Sequence, residues 1–255
     1  MELNAAQINL ILKAGEDPFD AKFKTVTPVE YVLGKALFRE QLFNVNKNVL
    51  IPRIETEQIV DIALETVGTR NEVSFADIAT GSGVIGISFA LELIKRAIQF
   101  DAHLSDISPL AIEVARSNAK SILDPAVIAG SRCQITFLES NLLSDFPVHK
   151  KFDIIFANLP YIPTARIETL QDSVKDFEPI LALDGGEDGL DLIQKLIEQG
   201  KDFMNNGGTM ILEVDDTHTS EKAESLLLKL TAQSPQLKAL TDEFGRNRFW
   251  VIRYE

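Results

Sequence analysis

The chain has 255 residues, 45% of them apolar and 25% charged, which is enough for one large α/β domain with a small appendage but not for a second full-sized domain. A formal charge of −13 makes the average face repel a phosphate backbone, so stable nucleic-acid binding is disfavoured. The lone Cys133 has no partner for an intramolecular disulfide and no Cys or His at metal-ligand spacing. The opening MELNAAQINLILKAGED has no basic leader, and no run approaches the ~18–20 apolar residues that span a bilayer, so an unanchored cytoplasmic protein without a metal is expected.

Helical periodicity covers residues 3–13 and breaks at the Gly-Glu-Asp-Pro of 15–18. Residues 38–49 alternate around a polar turn and predict a β-hairpin, followed by an amphipathic helix over 55–67. Strand and helix signals then alternate: strand 73–78, helix 84–95, strand 99–104, helix 109–119, strands 134–138 and 153–157, helix 189–199, strand 208–214, helix 220–230, and strands 236–240 and 248–254. That order predicts βαβ units and a mainly parallel sheet with right-handed crossovers. The expected division is a short helical segment over 1–34, a β-hairpin linker over 35–54 and a main domain over 55–255.

The run FADIATGSGVIG places an acidic residue at the end of a buried strand, then glycines that lead straight into a helix. Such a turn lets the backbone approach a ligand, and the helix start offers unpaired N–H groups. Asp106 follows Gly86 by 106 − 86 = 20 positions, the offset at which a carboxylate reaches ribose hydroxyls in nucleoside-binding α/β folds. Asp106 also suits the N-terminal cap of the next helix, a task Ser108 performs equally well. After the third strand, Asn141 and Leu142 offer an amide and an apolar side chain for the edge and face of an adenine, or form an ordinary turn.

The fourth strand, FDIIFA, is apolar until it delivers Asn158-Leu159-Pro160-Tyr161 at its carboxyl end, where open α/β sheets bind ligands. An asparagine carbonyl and the next backbone carbonyl accept both hydrogens of an NH₂ group, Pro160 fixes their convergence, and Tyr161 supplies a flat face. An amide nitrogen is a poor nucleophile, so holding both N–H groups and aiming the nitrogen at a sulfonium methyl is the useful contribution. Asn-Leu-Pro-Tyr alone also fits a plain turn. His103 and His218 are read as surface or packing residues.

These segments resemble the HemK/PrmC family, the peptide chain release factor glutamine N5-methyltransferases. The likeness runs from residue 31 to 254 through YVLG at 31–34, VLIPRIETE at 49–57, DIATGSG at 77–83, DISPLAIEVARSNA at 106–119, NLPYIP at 158–163, DFEPILALDGGEDGLD at 176–191 and GRNRFWV at 245–251. The resemblance implies a class I S-adenosylmethionine-dependent methyltransferase fold with a mainly parallel seven-stranded sheet. It implies cofactor on the turn of Ala79, Thr80, Gly81, Ser82 and Gly83, with Asp106 on the ribose and Asn141 and Leu142 at the adenine. Arg53 is implied beside the cofactor, Asn158 touches both cofactor and substrate, and Asn158, Leu159, Pro160 and Tyr161 hold the glutamine amide. The implied substrate is the glutamine of the Gly-Gly-Gln tripeptide in a release factor, with S-adenosylhomocysteine as product and the enzyme acting as a monomer. Departures from the family pattern are Ala79 for a glycine, Leu159 for a proline, Asn141 for an aspartate, no glycine after Glu213, and a shorter N-terminal helical segment. The alternatives are another planar amide or amine, in a ribosomal-protein glutamine or N6 of adenine, or a cofactor-binding partner protein of weak activity.

Overall fold

The computed structural model describes residues 3–124, 133–230 and 235–255. Helix α1, Ala5–Lys13, begins at Asn4, whose side chain accepts from the Gln7 N–H while the Gln7 side chain accepts from the Asn4 N–H, a reciprocal cap. A short helix α2, Val29–Leu33, leads through left-handed Gly34 into strands β1, Lys35–Phe38, and β2, Gln41–Asn44. These form the hairpin, but earlier than the 38–49 expected. Its turn is Arg39–Glu40, both at positive φ (45° and 65°), with no glycine or asparagine to announce it. Contacts to the following helix hold the turn there: the Arg39 N–H donates to Glu57 Oε1 at 2.8 Å, and its guanidinium reaches the Glu57 carbonyl and Asp61.

The main domain continues with α3 Glu57–Val67, β3 Glu72–Ile78, α4 Val84–Lys95, β4 Gln99–Asp106, α5 Pro109–Ile122, β5 Cys133–Glu139 and β6 Phe152–Ala157. A short α6 Asp172–Lys175 precedes α7 Asp191–Gly200, β7 Met204–Glu213, α8 Ser220–Leu230, β8 Gln236–Thr241 and β9 Asn247–Arg253. The seven strands lie in the order β5-β4-β3-β6-β7-β9-β8, and only β9 runs against the others. Every predicted helix and strand of this domain is present, with ends shifted by a few residues. The short turns of 180–182 and 172–175 carry too few residues for periodicity to reveal them.

Because successive strand residues face opposite sides, FDIIFA feeds two cores at once. Ile154 and Phe156 pack with Phe75, Phe89 and α3 on one face, while Ile155 and Ala157 pack with Ile193, Leu196 and Trp250 on the other. Phe75 meets Phe89 edge-on at 4.9 Å between ring centres, and both contact Phe156 at 5.5 Å. The chain leaves β3 toward β4 and β5 on one side, then returns to lay β6 on the other. The crevice at the carboxyl ends of β3 and β6 is therefore the switch point at which such sheets bind ligands.

Candidate active site

A cleft of about 300 Å³ opens at that switch point. Ala79, Thr80, Gly81, Ser82, Asp106, Asn141, Leu142, Asn158, Leu159 and Pro160 line it, so one cavity gathers expected residues from four successive strand ends. Contributors that sequence reasoning did not identify include Lys47, Asn48, Val49, Leu50 and Pro52 after the hairpin, Thr56, the short turn of Pro179, Leu181 and Ala182, and Leu192. None of these carries a polar signature that stands out from ordinary loop residues.

The turn after β3 is tightly wound. Ala79, Gly81 and Gly83 all sit at positive φ (55°, 55° and 82°), so Ala79 adopts a conformation that favours glycine. Buried Asp77 braces the turn from inside the fold: its Oδ2 accepts from Thr80 Oγ1 at 2.6 Å and from the Gly86 N–H at 2.9 Å. Its Oδ1 has no hydrogen-bond partner, and burial pushes this carboxyl up to about 7. From outside, buried Asn118 donates to the Ser82 carbonyl at 2.8 Å and to the Asn44 carbonyl at 2.9 Å, tying the turn to the hairpin.

Asp106 is not the helix cap. Ser108 takes that role by accepting from the Ala111 N–H at 3.3 Å, with Pro109 at the first helical position. Asp106 accepts instead from the Gly81 N–H and the Ser108 N–H, each at 2.9 Å, which clamps the carboxylate across the floor of the cleft. Burial raises its pKa, and the backbone donors oppose that rise. Each oxygen holds a further lone pair, so the clamped carboxylate still accepts hydroxyl donors. Leu142, itself at φ +56°, and Ile107 supply apolar wall on either side. A hydroxyl-accepting carboxylate, apolar walls and a glycine turn together match a nucleoside with a charged amino-acid tail, which is the chemistry of S-adenosylmethionine.

At the tip of β6, Asn158 Nδ2 donates to Thr56 Oγ1 at 3.2 Å, and Thr56 Oγ1 donates to Glu213 Oε2 at 2.7 Å. With its nitrogen held by Thr56, the amide directs its carbonyl oxygen away from Thr56. Tyr161 departs from expectation: it is not among the residues lining the cleft. Its ring packs against the core that holds Trp250, because its hydroxyl finds a buried acceptor in Glu213 Oε1 at 3.1 Å. Arg53 also departs. It is not among the cleft residues, and its Nη2 pairs at 2.7 Å with Glu178, a carboxylate whose side chain is 1% exposed and which also accepts from the Ile51 N–H. That pair borders a separate hollow beside the N-terminal helices.

The Asn-Leu-Pro-Tyr backbone is backed by the loop of residues 184–191. Ile162 N–H donates to the Leu183 carbonyl, and Gly185 N–H donates to the Ile162 carbonyl. Gly185 packs so closely that an added Cβ would stand 2.6 Å from the Pro160 carbonyl oxygen. His218, fully buried, accepts at Nδ1 from the Asp215 N–H, and its Nε2 faces the Asp188 carbonyl at 2.9 Å. It is a packing residue that pins this loop to the segment after β7, and burial lowers its pKa. His103 packs between Phe146 and Phe152.

The family model described as the methyltransferase small domain matches residues 57–185. The chain is 37% identical to the release factor glutamine methyltransferase of Clostridium acetobutylicum over 206 residues, covering 80% of this chain and 68% of that protein. Against the enzyme of the same name from Moorella thermoacetica it is 34% identical over 227 residues, covering 88% of this chain and 74% of the relative. The chain belongs to the release factor glutamine methyltransferase family. Among solved structures, it superposes on a ribosomal protein L11 methylase from Lactobacillus delbrueckii with a TM-score of 0.54 at 20% identity, covering 85% of this chain and 87% of that one, a likeness of fold. In this chain the glycine turn, Asp106 and the Asn158 tip follow β3, β4 and β6, which are neighbours in the sheet. No described helix is long and apolar enough to cross a membrane.

Proposed function

We propose that this protein methylates the side-chain nitrogen of a glutamine in a peptide chain release factor, at the Gly-Gly-Gln tripeptide, using S-adenosylmethionine and leaving S-adenosylhomocysteine. The observation that carries this reading is the fixed amide of Asn158, which presents an acceptor oxygen in the same cleft as the glycine turn and Asp106. Membership of a family whose members bear that activity in their names supports the choice of substrate.

In this reading the turn of residues 79–83 receives the amino-acid tail of the cofactor, Asp106 accepts the ribose hydroxyls, and Asn141 and Leu142 border the adenine. The cofactor supplies an electrophilic methyl group on a sulfonium. Asn158 Oδ1 and the Leu159 carbonyl accept the two N–H groups of the substrate amide, while Pro160 keeps the two acceptors convergent. These carbonyl dipoles favour the positive charge that grows on the nitrogen as the methyl–sulfur bond breaks; no base is needed beforehand, and the surplus proton passes to solvent after transfer. Positioning supplies most of the rate, because a delocalised amide lone pair reacts only when well aimed. Tyr161 and Arg53 contribute through packing and through the 178 carboxylate respectively, rather than by touching the ligand. The lone buried Cys133 suits a reducing compartment, and we assign the reaction to the cytoplasm.

The test is transfer of radiolabelled methyl to purified release factor, followed by mass spectrometry of the product. Labelled glutamine in the wild type, lost in Asn158→Ala, is the expected result. Absence of methylated glutamine with the wild-type protein overturns the substrate assignment.

A further inference from the structure

Glu213 closes β7 and is 1% exposed, yet it contributes nothing to the cleft wall. Its two oxygens are engaged by different hydroxyls, Thr56 Oγ1 at 2.7 Å and Tyr161 Oη at 3.1 Å. A hydroxyl owns a single hydrogen. Once Thr56 has given its hydrogen to the carboxylate, only lone pairs remain to face Asn158 at 3.2 Å. Asn158 must therefore turn its nitrogen toward Thr56 and its carbonyl oxygen the other way. A threonine without such a partner would tolerate either orientation, since it donates to an amide oxygen as readily as it accepts from an amide nitrogen. The second arm is ordered the same way: Arg248, which only donates, approaches Tyr161 Oη at 3.5 Å and leaves that hydroxyl's hydrogen for Glu213.

We propose that Glu213 is a positioning residue that selects for NH₂-bearing substrates by fixing, through Thr56, the orientation in which Asn158 offers its carbonyl oxygen. This rests on the reading that Asn158 receives the substrate amide. Were the amide reversed, its NH₂ would face the substrate nitrogen, donor against donor, and the site would prefer acceptors instead. The hydrogen-bond relay thus converts one buried carboxylate, remote in sequence, into the polarity of the acceptor site.

The experiment compares wild type with Thr56→Val, Thr56→Ser and Glu213→Gln in the release-factor assay, with S-adenosylmethionine affinity measured by calorimetry. In parallel, the Asn158 side-chain amide protons are followed by NMR, assigned by their loss in Asn158→Asp. Thr56→Val should lower kcat/KM on the order of 10²-fold, the scale expected for a misaligned reacting group. Thr56→Ser should restore most of the activity, and cofactor affinity should hold in Glu213→Gln, whose side chain lies outside the cleft wall. The Asn158 amide protons should exchange slowly in wild type and faster in Thr56→Val and Glu213→Gln. Equal activity of Thr56→Ser and Thr56→Val, or Asn158 signals unmoved by Glu213→Gln, overturns the relay. A wild type that methylates no glutamine overturns the substrate reading instead, while the amide signals still decide whether the relay exists.

Discussion

Gly189 lies so close to Tyr161 that an added Cβ would stand 2.1 Å from the Tyr161 carbonyl oxygen, with the glycine itself at φ +80°. Gly189→Ala should therefore carry both a left-handed backbone cost of about 1–2 kcal/mol and an overpacking cost of about 1–3 kcal/mol. Gly207 separates the two. It has a similar φ of +75°, but its nearest contact for a Cβ is Arg253 Nη2 at 4.0 Å. Urea unfolding of both alanine variants is the measurement; equal losses of stability would show that contact with Tyr161 is unimportant.

Ala79 holds a glycine conformation inside the turn that faces the ligand. Ala79→Gly should raise stability by about 1 kcal/mol, since the strain relieved outweighs the added freedom of the unfolded chain. Thermal unfolding reads this directly. A lower midpoint would mean that the turn is relaxed with alanine in place.

Asp77 predicts an unusual pH dependence. Its folded pKa, near 7, stands above the usual carboxylate value because the charged form is buried with one oxygen unpartnered. A raised acid binds its proton more tightly when folded, so its contribution to stability is complete at low pH and is lost as pH climbs from about 4 through about 7. Asp77→Asn keeps the acceptor for Thr80 and Gly86 and removes the charge. The variant should gain stability over wild type as pH rises from 5 to 8, by a few kcal/mol at most, with the bulk of the gain by about pH 7. Urea titrations at both pH values test it, and a difference that does not change with pH defeats the argument.

Arg53 offers a test of placement. Arg53→Met leaves the buried Glu178 carboxylate with only the Ile51 N–H, which should cost about 1–3 kcal/mol of stability. Calorimetric affinity for S-adenosylmethionine should stay at the wild-type value. A tenfold loss of that affinity would return Arg53 to the cofactor.

What could be read from the chain divides by sequence distance. The meeting of residues 79–82, Asp106 and Asn158 in one cleft was legible because each belongs to a short contiguous motif at the end of an apolar strand, and the strand order brings those ends together. The hairpin turn was misplaced because Arg39 and Glu40 carry none of the usual turn chemistry; their positive φ angles are imposed by Glu57 and Asp61. Thr56 and Glu213 stayed hidden because the contact that gives them meaning spans 157 positions, and the pairing of Arg53 with Glu178 was not foreseen because the two lie 125 positions apart. Tyr161 looked like a ligand platform because sequence shows an aromatic ring but not the buried acceptor that claims its hydroxyl.

The double grip of Asn118 on Asn44 and Ser82 gives the segment ahead of the sheet a mechanical share in the cleft. Anything that pulls the hairpin aside also slackens the turn that, in the proposed function, receives the cofactor's amino-acid tail. A protein partner that engages the hairpin thus has a lever on how tightly the donor molecule is held, without entering the cavity.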